Sequence, residues 1–250
     1  MVYQGSKNRL AKFLVPIIQK YIDDNNIKTY IEPMCGSCSI IEKIKCENRI
    51  AADVNDELIA LLQYVKSDST LSIAPTDCNF EHYAEVRENR KLGTGKYSKE
   101  YTALIGYCGS YGGRYYDGGW GKDKTGKRNI YQERVKNLKE DSSLLKDIEF
   151  KCCNFLDLPI DNIKGYVIYC DIPYRGTTKY KTESFPYEEF YEWANEMAKN
   201  NTVLISEYNM PSNFKCIWEK EAKVNLDSNK CSGDENNKRV EKLFICNAEN

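Results

Sequence analysis

Thr29-Tyr30-Ile31 is a short apolar run that gives way to Glu32-Pro33-Met34-Cys35-Gly36-Ser37-Cys38-Ser39, and Arg49-Ile50-Ala51-Ala52 is a second run that stops at Asp53. A strand, a glycine-bearing loop, the start of a helix over 39–45, a second strand and an acid form the first half of a nucleotide-binding α/β unit. Gly36 lets a ligand come close to the backbone, and the amides after it face that ligand. The loop lacks the Gly-x-Gly-x-x-Gly pattern, which disfavours a pyrophosphate cofactor. Asp53 can accept hydrogen bonds from ribose hydroxyls. The unit therefore fits a nucleoside-containing cofactor that is not NAD.

A second strand end carries the chemistry. Val167-Ile168-Tyr169-Cys170 runs into Asp171-Ile172-Pro173-Tyr174, and open α/β sheets build their sites at such carboxyl edges. An Asp and a main-chain carbonyl can hold an amino group, while Tyr offers a flat face to a base. The combination points to chemistry on the exocyclic amine of a nucleobase. The same four residues also read as an ordinary Asp-x-Pro turn.

The remaining chain falls into three parts: 1–74, 75–149 and 150–250. Leu10, Phe13, Leu14, Ile17, Ile18 and Tyr21 predict an amphipathic helix over 9–22, bent at Pro16. A helix over 56–66 closes the first part. The middle part holds a helical patch at 80–91, the loop Lys91-Leu92-Gly93-Thr94-Gly95, a Tyr/Gly-rich tract at 107–121 and a basic helix over 130–140. It reads as an inserted domain between two α/β halves. Strands are expected at 148–153, 166–170 and 202–206, with a helix marked by Phe190, Trp193, Ala194 and Met197. Segments 214–218 and 242–246 read as an antiparallel hairpin around a polar, mobile loop at 223–239.

Composition narrows the class. With 41% apolar and 29% charged residues in 250, the chain is expected to be folded and soluble. It has no run near the roughly 20 apolar residues that span a bilayer. The first residues lack a signal peptide's apolar centre, so a cytoplasmic location is expected. Length and spacing argue against a disulfide scaffold for the eleven cysteines. Cys35 and Cys38 are closely spaced but lack two further zinc ligands beyond the lone His82, so no metal is expected. Net charge is -1, yet residues 86–140 hold thirteen Lys or Arg against six Asp or Glu, and 181–250 hold nine against thirteen. The middle of the chain is a basic face suited to nucleic acid.

Gly5-Ser6-Lys7, Ile31-Glu32-Pro33-x-x-Gly36, Asp53-x-Asn55, Tyr107-x-x-x-Tyr111-Gly112-Gly113-Arg114, Asp171-x-Pro173-Tyr174 and Ser206-Glu207-Tyr208-Asn209 follow in order. In that order the chain resembles the Dam-like (D12 class, alpha-group) site-specific DNA adenine-N6 methyltransferases. The resemblance implies a Rossmann-like S-adenosylmethionine-dependent methyltransferase sheet with an inserted, mainly helical target-recognition domain at 75–149. It implies methyl transfer from S-adenosylmethionine to N6 of an adenine flipped from double-stranded DNA.

By the same resemblance Lys7 pairs with the cofactor's carboxylate and Tyr3 lies near it. Glu32, Pro33, Met34, Cys35, Gly36 and Ser37 wrap its methionine portion, and Asp53 holds its ribose. Asn154 and Phe155 flank its adenine, and Asp171 stands at the reacting end. Asp171, the Ile172 carbonyl, Pro173 and Tyr174 form the catalytic tetrapeptide. Arg114, Tyr115, Tyr116, Lys122, Lys124 and Arg128 are the expected DNA contacts. Three residues depart from the family's pattern: Asn154 stands in place of an Asp, Cys38 in place of a glycine, and Ile172 in place of a proline, with an expected loss of rigidity at 172. A restriction endonuclease counterpart and a monomer or weak dimer are the further expectations. The alternatives are a catalytically silent DNA-binding regulator of the same fold and an RNA amine methyltransferase.

Overall fold

A computed structural model describes residues 1–158, 164–175, 185–223 and 238–246. Seven strands form one sheet: β1 (Thr29–Glu32), β2 (Asn48–Asp53), β3 (Ile148–Cys152), β4 (Val167–Asp171), β5 (Thr202–Glu207), β6 (Phe214–Lys223) and β7 (Lys238–Cys246). Their spatial order is β3-β2-β1-β4-β5-β7-β6. The first five pair in parallel, and β7 is inserted antiparallel between β5 and β6. Chain order reverses between β1 and β4, so the carboxyl ends of those strands open a crevice for a ligand. Among the described residues six α-helices accompany the sheet: α1 (Asn8–Asp24), α2 (Asp56–Ser67), α3 (Phe80–Leu92), α4 (Lys99–Gly109), α5 (Ile130–Leu145) and α6 (Tyr187–Ala198). Among the described residues no helix is long and apolar enough to cross a membrane.

Alternation along the strands divides the core into two layers. Tyr30, Ala51, Val167, Tyr169, Leu204 and Leu243 face a cluster that includes Leu14 and Ile18 of α1 and Leu58, Leu61 and Leu62 of α2. Ile168, Cys170, Val203, Ile205 and Phe244 face Phe190, Trp193 and Ala194 of α6. The helices between β2 and β3 belong to the first layer. Val86, Leu104, Ile105, Val135 and Leu138 share one continuous core with α2.

Two local expectations needed revision. Residues 39–45 form only a three-residue 3-10 turn, Ile41–Lys43. Ile40, Ile41 and Ile44 are buried there, and the Arg49 guanidinium takes the carbonyls of Ile41 and Ile44 that a continuing helix would use. The Tyr/Gly tract begins inside α4, a helix that the sequence reading did not contain. Every residue from Thr102 to Gly109 is buried, so α4 has no polar face to generate a helical period. The expected mobile loop at 223–239 lies almost wholly outside the described residues.

Candidate active site

Glu32 and Asp171 end the two strands that flank the crevice, and both follow the alternation of Tyr30 and Tyr169 onto the α1 side. The first residue before α1 is Lys7. Its Nζ lies 2.9 Å from Asp171 Oδ1 and 4.3 Å from the centroid of the Tyr174 ring. One ammonium therefore ties the acid of the Asp171–Tyr174 tetrapeptide to its aromatic. Burial works against the Lys7 charge, but Asp171 beside it raises its pKa above the ordinary lysine value. Burial also raises the Asp171 carboxyl, with Lys7 opposing the shift.

The tetrapeptide is fixed from several sides. Ile172 is 2% exposed and sits in the core under α6. Pro173's carbonyl accepts from the Tyr187 hydroxyl at 2.7 Å. Glu207, buried at the end of β5, accepts from the Arg175 amide at 2.8 Å and from the Tyr208 amide. The Tyr174 ring packs edgewise with Tyr208 at 4.4 Å, and its hydroxyl donates to Glu241 at 2.8 Å. Packing and these hydrogen bonds hold the tetrapeptide that carries Ile172 in place of a proline.

The cofactor side is built on β1 and β2. Asp53 accepts from the amides of Gly36 and Asn55, each at 3.0 Å, which aims the carboxylate across the loop. Burial raises its pKa against those hydrogen bonds. Gly36 has φ +47, and a Cβ there would lie 3.2 Å from the Tyr3 ring. Cys38 has φ +61 and is fully buried, so it adopts the backbone conformation that favours the glycine expected there. The Cys35 amide donates to Ala52's carbonyl at 2.8 Å, and Ser37 Oγ donates to Ser6 Oγ at 3.2 Å. Glu32 is 3% exposed and accepts from the Tyr30 hydroxyl at 2.7 Å. Burial pushes its carboxyl up to about 8.

The other expected residues separate by environment. Pro33 and Met34 continue from β1, and Met34 packs against the α6-side core. Phe155 is 3% exposed and packs on Phe190 and Trp193 at 5.6 and 5.4 Å. The Asn154 carboxamide oxygen accepts from the Leu156 amide at 3.0 Å. Val54 and Leu156 are exposed apolar residues beside these two positions, brought to one edge by the Asp53↔Cys152 register. Neither was singled out from the sequence. The signal was an apolar residue following the acid of one strand and an aromatic after the next.

Tyr115 and Tyr116 turn inward. Tyr115 stacks on Tyr107 at 4.4 Å and donates to Glu57. Tyr116 is 4% exposed, and its hydroxyl donates to the Thr102 carbonyl at 2.8 Å. Tyr116 is buried, and Tyr115 is half-buried with its hydroxyl engaged by Glu57. Arg114, Lys122 and Lys124 are exposed, and Arg128 is exposed but paired with Glu133.

The profile of the family described as D12 class N6 adenine-specific DNA methyltransferase matches residues 3–227. The chain belongs to that family. It is 25% identical over 194 residues to the retron Ec67 DNA adenine methylase of Escherichia coli, covering 70% of this chain and 67% of the relative. It is 24% identical over 210 residues to the type II methyltransferase M.MjaIII of Methanocaldococcus jannaschii, covering 73% and 70%. The protein is an adenine-specific DNA methyltransferase that uses S-adenosylmethionine. The chemistry of the residues at the ends of β1 and β2 is compatible with that molecule: Asp53 is a strand-end hydrogen-bond acceptor, Gly36 lacks a side chain, and Val54 and Leu156 are exposed apolar side chains.

Proposed function

We propose that this methyltransferase takes its target adenine from a specific sequence of duplex DNA by rotating the base out of the stack, and grips the N6 amine at the end of β4. Rotation costs a few kcal/mol. The observation that carries the reading is the single Lys7 ammonium holding both Asp171 and Tyr174 at the switch point of the sheet.

Adenine's amine is a poor nucleophile because its lone pair is delocalised into the ring. Asp171 and the Ile172 carbonyl accept its two hydrogens and favour the geometry in which nitrogen attacks. Lys7 occupies Oδ1 of Asp171, leaving Oδ2 for the amine, and it favours the ionised carboxylate. Tyr174 orients the base. When bound, S-adenosylmethionine supplies an electrophilic methyl on positively charged sulfur. Most of the acceleration comes from orientation and preorganised charge. Lys7 is therefore a positioning residue for Asp171 as well as a candidate partner for the cofactor's carboxylate.

Sequence selection is assigned to 75–149, with Arg114, Lys122, Lys124 and Arg128 toward phosphates and base edges. Its support is the exposure of these four side chains and the basic excess of the segment. The test is to expose unmethylated genomic DNA to the purified enzyme and map the modified positions. One recurring sequence, methylated at adenine and preferred as duplex over single strands or RNA, is the expected result. Methyl groups scattered without a shared sequence, or a preference for RNA, would overturn the reading.

A further inference from the structure

Glu241 lies on β7, 67 residues beyond Tyr174 in the chain, and belongs to none of the motifs that mark the site. Alternation along β7 places it on the face of Leu243, the face covered by α1, whose leading residue is Lys7. Its Oε2 accepts the Tyr174 hydroxyl at 2.8 Å. Among the described residues three contacts hold the Tyr174 ring: Glu241 at the hydroxyl, Lys7 over the face and Tyr208 against the edge. The first grips the ring at the end farthest from the backbone, where a small swing about the side-chain torsions produces the largest displacement. A hydrogen bond to a carboxylate is about twice as strong as a neutral one and restrains that swing accordingly.

The cluster is coherent electrostatically. Asp171 and Glu241 both favour the charged form of Lys7, after burial's opposing effect. Burial first, and then the nearby acids, push the Tyr174 hydroxyl far above its ordinary range, so it remains a donor to Glu241. The sheet does not need this carboxylate for its own cohesion. β7 is held by backbone ladders to β5 and β6 and by the buried side chains of Leu243, Phe244 and Cys246.

We propose that Glu241 is a positioning residue for methyl transfer, holding the plane of Tyr174 so that the target amine meets Asp171. The inference rests on the reading in which Tyr174 orients the extruded base. It predicts an effect on the transfer step and little effect on cofactor binding, because misplacement of reacting groups by an ångström costs on the order of a hundredfold in rate.

The experiment is a double-mutant cycle in the full chain, read by single-turnover methyl transfer to DNA, cofactor affinity by titration calorimetry, and melting temperature. Glu241→Ala should slow transfer about tenfold with cofactor affinity within about twofold. Glu241→Gln, which keeps an acceptor oxygen in place, should recover the rate to within about threefold. In a Tyr174→Phe background, Glu241→Ala should add less than about twofold, because the hydroxyl it acts through is gone. Equal slowing in both backgrounds, or a cofactor affinity that falls in step with the rate, would overturn the proposal. If Glu241→Ala does not fold, Glu241→Gln near the wild-type rate beside a Tyr174→Phe enzyme slowed about tenfold supports it. Tyr174→Phe at the wild-type rate then overturns it. Asp171→Ala run in parallel separates the two levels. A retained rate in that variant defeats the pocket assignment itself, whereas an inert Asp171→Ala beside an unaffected Glu241→Ala defeats only the role of Glu241.

Discussion

Glu32 illustrates how one buried acid near the cofactor loop makes stability depend on pH. Its folded-state carboxyl titrates at about 8 against an ordinary 4.5, chiefly through burial. The folded state therefore keeps the proton after the unfolded chain has lost it. The associated stability is complete below about pH 4.5 and is lost as pH rises through about 8. Glu32→Gln, which cannot ionise, should gain in melting temperature relative to wild type as pH is raised across that window. A difference that stays constant with pH would contradict the assignment. Ile172 makes a second residue-scale case. Its side chain is 2% exposed in the α6-side core, so Ile172→Pro exchanges buried aliphatic contacts for a stiffer backbone. The expected outcome is a loss of about 1–2 kcal/mol in denaturant unfolding, and an unchanged or increased stability would show that rigidity outweighs packing there.

Between elements, glycines set how closely segments approach. Gly113 has φ +69, and a Cβ on it would stand 2.7 Å from the Val2 carbonyl oxygen. Gly113→Ala should cost about 2 kcal/mol or more, combining backbone strain with the clash. It should also weaken cofactor binding, since Val2 precedes the Tyr3 that lies against Gly36. Gly119→Ala is the control: its φ is +67, but nothing lies within 4 Å of the added carbon, so a smaller loss and unchanged cofactor affinity are expected in thermal melts and titrations. The strands were legible as short apolar runs, α1, α2 and α6 from apolar residues at helical spacing, and α3 and α5 as a helical patch and a basic helix in the middle segment. The helix α4 was not, since it is buried nearly all round and contains Gly106 and Gly109. The places of Asp53 and Asp171 at strand ends were legible from the apolar runs that precede them. The partners of those residues were not. The Lys7–Asp171 pair spans 164 positions of sequence, and Glu241 reaches Tyr174 only because β7 is inserted beside β5. The inward turn of the Tyr115 and Tyr116 rings was not legible, because polar aromatics in a glycine-rich tract give no sign of which way their rings turn.

As a whole the molecule combines an acidic body with a basic middle segment, an asymmetry suited to meeting DNA through that segment. Lys122 and Lys124 are exposed in the segment between α4 and α5. Replacing both by Ala should weaken DNA binding across sequences and reduce the log–log salt slope by about two. An unchanged slope would remove them from the interface. In the proposed mechanism Asp171, held by Lys7, grips the adenine amine during transfer while the loop and acid of the neighbouring strands bind the cofactor. The most direct test of this mechanism is single-turnover transfer to DNA by Asp171→Ala, with cofactor affinity measured on the same preparation. The account predicts a rate lowered about a hundredfold or more with affinity within about threefold of wild type. Formation of N6-methyladenine at the wild-type rate, or loss of cofactor binding in proportion to the rate, would contradict it.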